Sequence, residues 1–327
     1  MADGVAMGVR SASFRVDTGV SLPGEGKLEI AVEVFTPPAP LPVALVCLPG
    51  GAMTRAYFDL RATGDDSFSF AREMAARGFI SVLIDHLGVG ESSRPADGYA
   101  LDAALLARAN ARATDVAIDR IRKGHTVNGL RAIPEVKSIG VGHSMGAMLT
   151  IVQQAEFHQH VGIAVLGFST RGLPEYLSPA AKNLDPRKAP DEVVKLAKAM
   201  FQEPYPKIGR SSDGSQLYAG LHAEPAGIAA IKPAREKLLP VPAFQSMLPR
   251  NVAPEAAAID VPVFVGLGEL DMAGPPLEAP KAFTASPAVA FCMVPGAGHS
   301  HFIFAGRRML FDRLAEWART LAVSSRA

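Results

Sequence analysis

The first forty residues show a regular alternation of hydrophobic and polar side chains. In both Ala12–Val16 and Leu28–Phe35, apolar positions alternate with polar ones, as in antiparallel strands with one buried face. The segment between them, Ser21–Gly26, is rich in Pro and Gly and predicts a hairpin turn. We therefore predict an antiparallel pair of strands at the start of the fold.

The later apolar segments are continuous, which is typical of strands buried on both faces. We predict six such strands: Pro42–Leu48, Phe79–Ile84, Ser138–Gly142, Gly162–Phe168, Val261–Leu267 and Val289–Val294. Helical spacing is found in Phe68–Ala76, Ala100–Lys123, Met145–Phe157 and Phe302–Ala322. Strands separated by helices predict an α/β fold with a mostly parallel sheet and helices on both faces.

One segment, Thr170–Ala258, interrupts this alternation. It contains no convincing strand, and it holds nearly half of the 26 prolines together with short helical stretches such as Asp191–Met200. It is too long for a simple loop, and its recurring Leu, Met and Phe could form a small core. We predict a core domain of residues 1–169 and 259–327 and a helical cap insertion of residues 170–258. The alternative is a loosely ordered linker.

Composition narrows the class of protein. The 327 residues are 48% hydrophobic and 20% charged, which excludes intrinsic disorder. The net charge of +1 gives no reason to expect a nucleic acid or an anionic membrane as partner. Cys47 and Cys292 lie far apart in apolar segments, so we interpret them as reduced core thiols. With no signal peptide or long apolar segment in evidence, we expect a cytoplasmic protein.

A candidate nucleophile lies where a predicted strand meets a predicted helix. The segment Gly142-His143-Ser144-Met145-Gly146 matches the pattern G-x-S-x-G. A serine at such a sharp turn presents its hydroxyl, and the helix N-terminus favours a developing oxyanion. A loose dinucleotide-binding fingerprint is an alternative, but it requires an acidic residue after the next strand, which is missing here. A plain structural turn is the other alternative.

A serine nucleophile needs a base and an acid that orients the base. In an open α/β sheet, these side chains should follow the carboxyl ends of later strands. Asp271 follows one such strand and His299 the next, so we predict Asp271 as the acid and His299 as the base. Glu269 is the alternative acid, and His301 is the alternative base.

Two backbone N–H groups should face the oxyanion that forms on the substrate. One belongs to Met145, the residue after the nucleophile. The other should come from the Gly-rich loop after an early buried strand, where we predict Gly51 first and Ala52 next. The alternative for this loop is an ordinary Gly-Gly turn.

Taken together, these motifs resemble those of the α/β-hydrolase superfamily, in particular its capped, single-chain, esterase-like members. The matching segments are Pro49-Gly50-Gly51, Asp85-x-x-Gly88-x-Gly90-x-Ser92, Gly142-x-Ser144-x-Gly146, Gly268-x-x-Asp271 and Gly298-His299. The resemblance implies a sheet of about eight strands, a cap after the sixth strand and a structural role for Asp85.

Two features refine this resemblance. Pro49 stands where the superfamily commonly has a histidine, so the hydrogen bonding of the oxyanion loop must differ. Ser144 excludes the aspartate nucleophile of the superfamily's dehalogenases and epoxide hydrolases.

The motifs together predict a serine hydrolase that needs no cofactor and binds no metal. We expect its partner to be a carboxylic ester or lactone that is medium-sized, uncharged and partly hydrophobic. The same triad could cleave a carbon–carbon bond or transfer an acyl group, and a non-catalytic small-molecule-binding protein is the alternative of another class. The residues predicted to contact substrate, with simple packing as the alternative, are Ala52, Tyr57, Phe58, Phe244 and Met247.

Overall fold

The computed structural model describes residues 8–208, 220 and 222–323. These residues form a single sheet of eight strands. The strands are β1 (Arg10–Asp17), β2 (Glu29–Thr36), β3 (Val43–Leu48), β4 (Ile80–Ile84), β5 (Lys137–His143), β6 (Ile163–Leu166), β7 (Val263–Gly268) and β8 (Val289–Val294). Their order across the sheet is β1-β2-β4-β3-β5-β6-β7-β8.

The strand directions confirm the predicted sheet. β2 runs antiparallel to both β1 and β4, whereas all the other neighbouring pairs are parallel. Leu48 at the end of β3 pairs with Gly142 near the end of β5. The loops that follow these two strands therefore leave the sheet side by side at its carboxyl edge.

Helices cover both faces of the sheet. They are α1 (Phe70–Ala76), α2 (Ala103–Arg122), α3 (Met145–Phe157), α4 (Pro179–Lys182), α5 (Pro190–Phe201), α6 (Pro225–Ile231), α7 (Pro240–Met247), α8 (Ala253–Ala258) and α9 (Arg307–Val323). α2, α3 and α8 pack on one face, and α1 and α9 pack on the other. β3 shows why both faces are buried, because its successive apolar side chains enter the two cores in turn.

In its described residues, the segment between β6 and β7 consists of short helices joined by turns and loops. It contains α4 to α8 and has a small apolar core of its own, formed by residues from α4, α5 and α7. Leu238, just before α7, lies over the loop that follows β3, because a Cβ on Gly51 would be 2.9 Å from its side chain. The division into a core domain and a cap domain stays a prediction, and residues 209–219 and 221 of this segment lie outside the described residues.

The start of the last helix differs from the prediction. The sequence predicts a helix over Phe302–Ala322, whereas α9 begins at Arg307. Phe302 is fully buried and stacks between Tyr57 and Phe70, with ring centroids 4.9 and 5.4 Å apart. This packing places Phe302 in a short 3-10 turn. None of the helices in the described part of the chain has both the length and the apolar character needed to cross a membrane.

Gly146 allows the first turn of α3 to pack directly on the backbone of β3. A Cβ at this position would lie 2.1 Å from the carbonyl oxygen of Leu48 and 2.5 Å from that of Pro49. Because backbone atoms cannot rotate away, Gly146→Ala should lower the free energy of unfolding by at least about 1–3 kcal/mol, as overpacking does. Urea denaturation measures this loss.

Gly26→Ala is the matched control for this substitution. Within the described part of the chain, a Cβ on Gly26 meets no atom within 4 Å, and its φ is not in the left-handed region. Its stability should change by less than about 0.5 kcal/mol. Equal stability losses in the two variants would contradict the proposed contact between α3 and β3.

Candidate active site

Ser144 occupies a strained turn between β5 and α3. Its backbone has φ 55° and ψ −122°, and a positive φ is uncommon for any residue other than glycine. The turn is held by a 2.8 Å hydrogen bond from the Ser144 N–H to the carbonyl of Leu166. This conformation leaves the side chain of Ser144 partly exposed at the N-terminus of α3.

The structure brings Ser144, His299 and Asp271 together in one chain of hydrogen bonds. The Oγ of Ser144 lies 2.9 Å from Nε2 of His299, and Nδ1 of His299 lies 2.8 Å from Oδ1 of Asp271. The tautomer with its proton on Nδ1 donates to the carboxylate and can accept the serine proton at Nε2. Asp271 follows β7 and His299 follows β8, so two neighbouring parallel strands deliver the two side chains.

Asp271 stays ionised in this buried position. Burial acts to raise the pKa of Asp271, but its contacts with His299 and His301 outweigh this effect and hold the pKa well below its usual range. The N–H of Ala273 also donates to Oδ1, at 2.9 Å. A carboxylate that keeps its charge can both orient an imidazole ring and stabilise an imidazolium.

Glu269 and His301, the alternative acid and base of the sequence analysis, make different contacts from those predicted for an acid and a base. Glu269 is exposed, and its carboxylate accepts a 2.8 Å hydrogen bond from the N–H of Gly296. His301 is fully buried behind Asp271, and its Nε2 lies 2.8 Å from Oδ2 of the carboxylate. His301 is therefore a second partner of Asp271, bound to the other carboxylate oxygen from the one that contacts His299.

The proton on His301 can be placed from its neighbours. Its Nε2 also lies 3.1 Å from the N–H of Gly268, but one nitrogen cannot accept that bond and donate to Asp271 at the same time. The carboxylate is ionised and closer, so Nε2 of His301 carries the proton and donates to Oδ2.

His143 also supports the site, although its sequence position does not indicate this role. Its ring stacks on Tyr57 with centroids 4.5 Å apart, and its Nε2–H donates a 2.9 Å hydrogen bond to the backbone carbonyl of His299. Burial holds the pKa of His143 well below its usual range, so the ring is neutral. His143 therefore holds the backbone of His299, a role that only a contact over 156 residues reveals.

The loop after β3 approaches Ser144 closely. A Cβ on Gly50 would lie 3.1 Å from Cβ of Ser144, and a Cβ on Gly51 would lie 3.9 Å from Sδ of Met145. In the described part of the chain, the amides of Gly51, Ala52 and Met145 donate to no other group. These N–H groups therefore remain available to a ligand beside Ser144.

The aromatic residues predicted to contact substrate are placed in packed cores. Tyr57 and Phe58 are fully buried beside Phe302, on the face of the sheet covered by α1 and α9. Phe244 is fully buried in the small apolar core of the segment between β6 and β7, and Met247 packs against the same core. Tyr57, Phe58 and Phe244 therefore face the protein interior, and Met247 is partly buried against its neighbours.

A small cavity opens on Ser144 and His299. Its volume is about 20 Å³, room for about one water molecule or a small group. The sequence did not identify its other lining residues as site residues. These are Gly167, Phe168, Ser169, Gly172, Leu173, Ser246, Met272 and Ala273. None of them carries a formal charge.

Metal-binding side chains do not cluster in the described part of the chain. No three or more of its His, Cys, Asp or Glu side chains have a metal-binding arrangement. Cys47 and Cys292 are both free thiols in buried positions. Burial raises the pKa of both, so neither is an activated thiolate.

Similarity searches place this architecture among known proteins. A comparison with curated protein sequences found no match. Among solved structures, the chain is similar to a thermophilic esterase from Thermogutta terrifontis, with 19% identity, a TM-score of 0.57 and coverage of 95% of this chain and 99% of that chain. It is also similar to a monoacylglycerol lipase from Paleococcus ferrophilus, with 17% identity, a TM-score of 0.60 and coverage of 90% and 100%.

An enol-lactonase from Burkholderia xenovorans LB400 is a third similar structure, with 17% identity, a TM-score of 0.54 and coverage of 90% of this chain and 96% of that chain. At these identities the likeness shows a shared fold. A profile of the alpha/beta hydrolase family matches residues 45–309, well over half of the sequence. On this evidence, the chain belongs to the alpha/beta hydrolase family.

Proposed function

We propose that the protein is a serine hydrolase that cleaves a carboxylic ester or a lactone. The observation that carries this proposal is the hydrogen-bonded chain from Ser144 through His299 to Asp271, with donor distances of 2.9 and 2.8 Å. Nearby backbone amides without other partners complete the set of groups that acyl transfer needs. The names of the similar esterase, lipase and enol-lactonase support the same class of substrate.

The first half of the reaction forms an acyl-enzyme. His299 removes the proton from Ser144 as Oγ attacks the substrate carbonyl, and the amides of Met145 and Gly51 donate to the developing oxyanion. Asp271 stabilises the imidazolium that results. When the tetrahedral intermediate collapses, the bond from the carbonyl carbon to the alkoxy oxygen breaks, and His299 gives its proton to that oxygen.

The second half releases the acid. A water molecule gives a proton to His299 and attacks the acyl carbon, and the oxyanion is held by the same amides. Collapse breaks the bond to Ser144, whose oxygen takes the proton back from His299. For a lactone, the alcohol and the acid are two ends of one product molecule.

The lining of the small cavity supports an uncharged substrate. Phe168, Leu173 and Met272 contribute apolar surface, and Ser169 and Ser246 contribute hydroxyl groups. A charged substrate group in this cavity would have no opposite charge from its lining residues. We therefore propose that a small uncharged part of a medium-sized, partly hydrophobic ester lies here.

Hydrolysis of p-nitrophenyl esters from acetate to decanoate, together with simple γ- and δ-lactones, tests the proposal. We expect measurable kcat/KM for at least one ester series, with an optimum chain length that reports the acyl pocket. If the purified, folded protein hydrolyses none of these compounds, the ester and lactone proposal is wrong. Transfer of the acyl group to an added alcohol would identify an acyltransferase.

His301 should matter for activity without being the base. His301→Leu removes the donor to Oδ2 of Asp271 and leaves a buried charged acceptor unpaired, at a cost of about 1–3 kcal/mol. We expect kcat/KM to fall by about 10- to 100-fold. His301→Gln keeps an N–H donor and should stay within about fivefold of the wild type.

Steady-state kinetics of the two His301 variants decide between its roles. If His301 were the general base, both variants would lose at least about a thousandfold in kcat. Wild-type rates in His301→Leu would show that the contact with Asp271 has no effect on catalysis.

A further inference from the structure

A second buried histidine contacts the loop that approaches Ser144. His86 follows β4, and its Nε2 lies 3.0 Å from the carbonyl oxygen of Pro49. Its Nδ1 lies 3.1 Å from Nδ2 and 3.3 Å from Oδ1 of Asn110, which projects from the middle of α2. His86 and Asn110 are both fully buried, and neither takes part in the proposed chemistry.

The partners of His86 determine which of its nitrogens carries the proton. A carbonyl oxygen can only accept a hydrogen bond, so Nε2 of His86 must donate to Pro49. Nδ1 then accepts from the side-chain amide of Asn110. Burial lowers the pKa of His86, so its ring is neutral and has a single ring N–H. The Pro49 carbonyl thus determines the tautomer, and the side-chain amide of Asn110 satisfies the remaining nitrogen.

The bond to Pro49 determines the direction of the first peptide unit of the loop. In a trans peptide, the C=O and the following N–H point in opposite directions, so holding the Pro49 oxygen also orients the N–H of Gly50. The next peptide unit is held in the same way, because the Gly50 carbonyl accepts a 3.3 Å hydrogen bond from the N–H of Met53. The N–H of Gly51 therefore points away from that carbonyl. The Ala52 carbonyl accepts a 2.9 Å hydrogen bond from the backbone N–H of Glu236.

We propose that His86 is a positioning residue that aligns the oxyanion loop through Pro49, with Asn110 bound to its other ring nitrogen. The inference rests on the proposed function, because it assigns His86 a role in fixing the peptide unit from which the loop continues to Gly51, whose amide is proposed to face the oxyanion. A buried polar pair adds little net stability over an apolar pair of the same shape. The effect of the hydrogen bond from His86 to Pro49 is therefore to orient the loop rather than to stabilise the fold.

Two substitutions separate positioning from packing. His86→Leu removes the donor to Pro49, and we expect kcat to fall by about 10- to 100-fold with KM changed by less than about twofold, because a small misplacement of a catalytic group has effects of this size. His86→Gln places an N–H near the position of Nε2 and should recover activity to within about fivefold of the wild type.

Binding of a transition-state analogue gives a readout that packing alone would not change. A trifluoromethyl ketone forms a tetrahedral adduct with a serine, and its inhibition constant for His86→Leu should rise by the same factor as kcat/KM falls. Thermal unfolding of both variants checks that they are folded. Unchanged kcat in His86→Leu, a loss confined to KM, or a folded His86→Gln no better than His86→Leu would overturn the proposal.

A measurement on the wild type tests the proposal even if the variants do not fold. Nitrogen NMR of the labelled protein should show His86 neutral at pH 7, with its proton on Nε2. A proton on Nδ1, or a charged ring, would contradict the assigned contacts. A wild type that is inactive on every ester and lactone would refute the proposed function instead, and the NMR result would remain a separate test of the loop contact.

Discussion

Replacing Ser144 by alanine should lower kcat for ester hydrolysis by about 10⁴- to 10⁶-fold, the range expected when a serine nucleophile is removed. The substitution removes the Ser144 Oγ that lies 2.9 Å from Nε2 of His299, so no acyl-enzyme could form. Initial rates with the best p-nitrophenyl ester measure the loss. Mass spectrometry after treatment with a fluorophosphonate should show a single adduct on the wild type and none on Ser144→Ala.

Ser246→Ala is the matched control, because its hydroxyl lines the same cavity but donates to the carbonyl of Ala243 rather than to the proposed triad. We expect its kcat to stay within about tenfold of the wild type, since it touches no proposed reacting group. Equal activity of Ser144→Ala and the wild type would show that Ser144 is not the nucleophile.

Asp271→Asn should have the second largest effect, a loss of about 10⁴-fold in kcat. The asparagine can turn its amide N–H toward Nδ1 of His299, which stabilises the tautomer with its proton on Nε2. That tautomer cannot accept the proton of Ser144. The substitution also removes the negative charge that stabilises the imidazolium, and steady-state kinetics from pH 6 to pH 9 measure the combined loss.

Glu269→Gln is the control for Asp271→Asn. Glu269 is exposed, and among the described residues its carboxylate accepts a hydrogen bond only from the N–H of Gly296, so its variant should keep kcat within about threefold. If Glu269→Gln loses more activity than Asp271→Asn, the acid has been assigned to the wrong residue. Circular dichroism of both variants confirms that a loss of rate is not a loss of fold.

Local sequence patterns predicted most of the sheet. α3 and β8 have the predicted bounds, and the other strands agree within three residues at each end. This accuracy has a physical basis, because a strand buried on both faces needs a continuous apolar segment and a nearby turn signal. Parallel strands also end at one edge of the sheet, so the order of Ser144, Asp271 and His299 predicted that these side chains would meet there.

Side chains whose roles depend on distant partners were not predictable in this way. His301 was the alternative base, and the sequence positions of His86 and His143 indicated no role. In the structure, His86 contacts the carbonyl of Pro49, His143 contacts the backbone of His299 and His301 binds Asp271. Tyr57 and Phe58 were expected at the substrate because they follow the Gly-rich loop, but they pack into the core. Their direction depends on Phe302, more than 240 residues away in the chain.

By itself, the sequence determined the fold class, the order of the strands along the chain and the residue types that could act as nucleophile, acid and base. These features follow from hydrophobic periodicity and turn residues, which act over a few positions. Only the tertiary structure decided which histidine contacts Ser144 and which aromatic residues pack in the core instead of lining the site. Both depend on contacts between segments far apart in sequence. A buried histidine must form hydrogen bonds with the groups that packing places beside it, and those groups come from distant parts of the sequence.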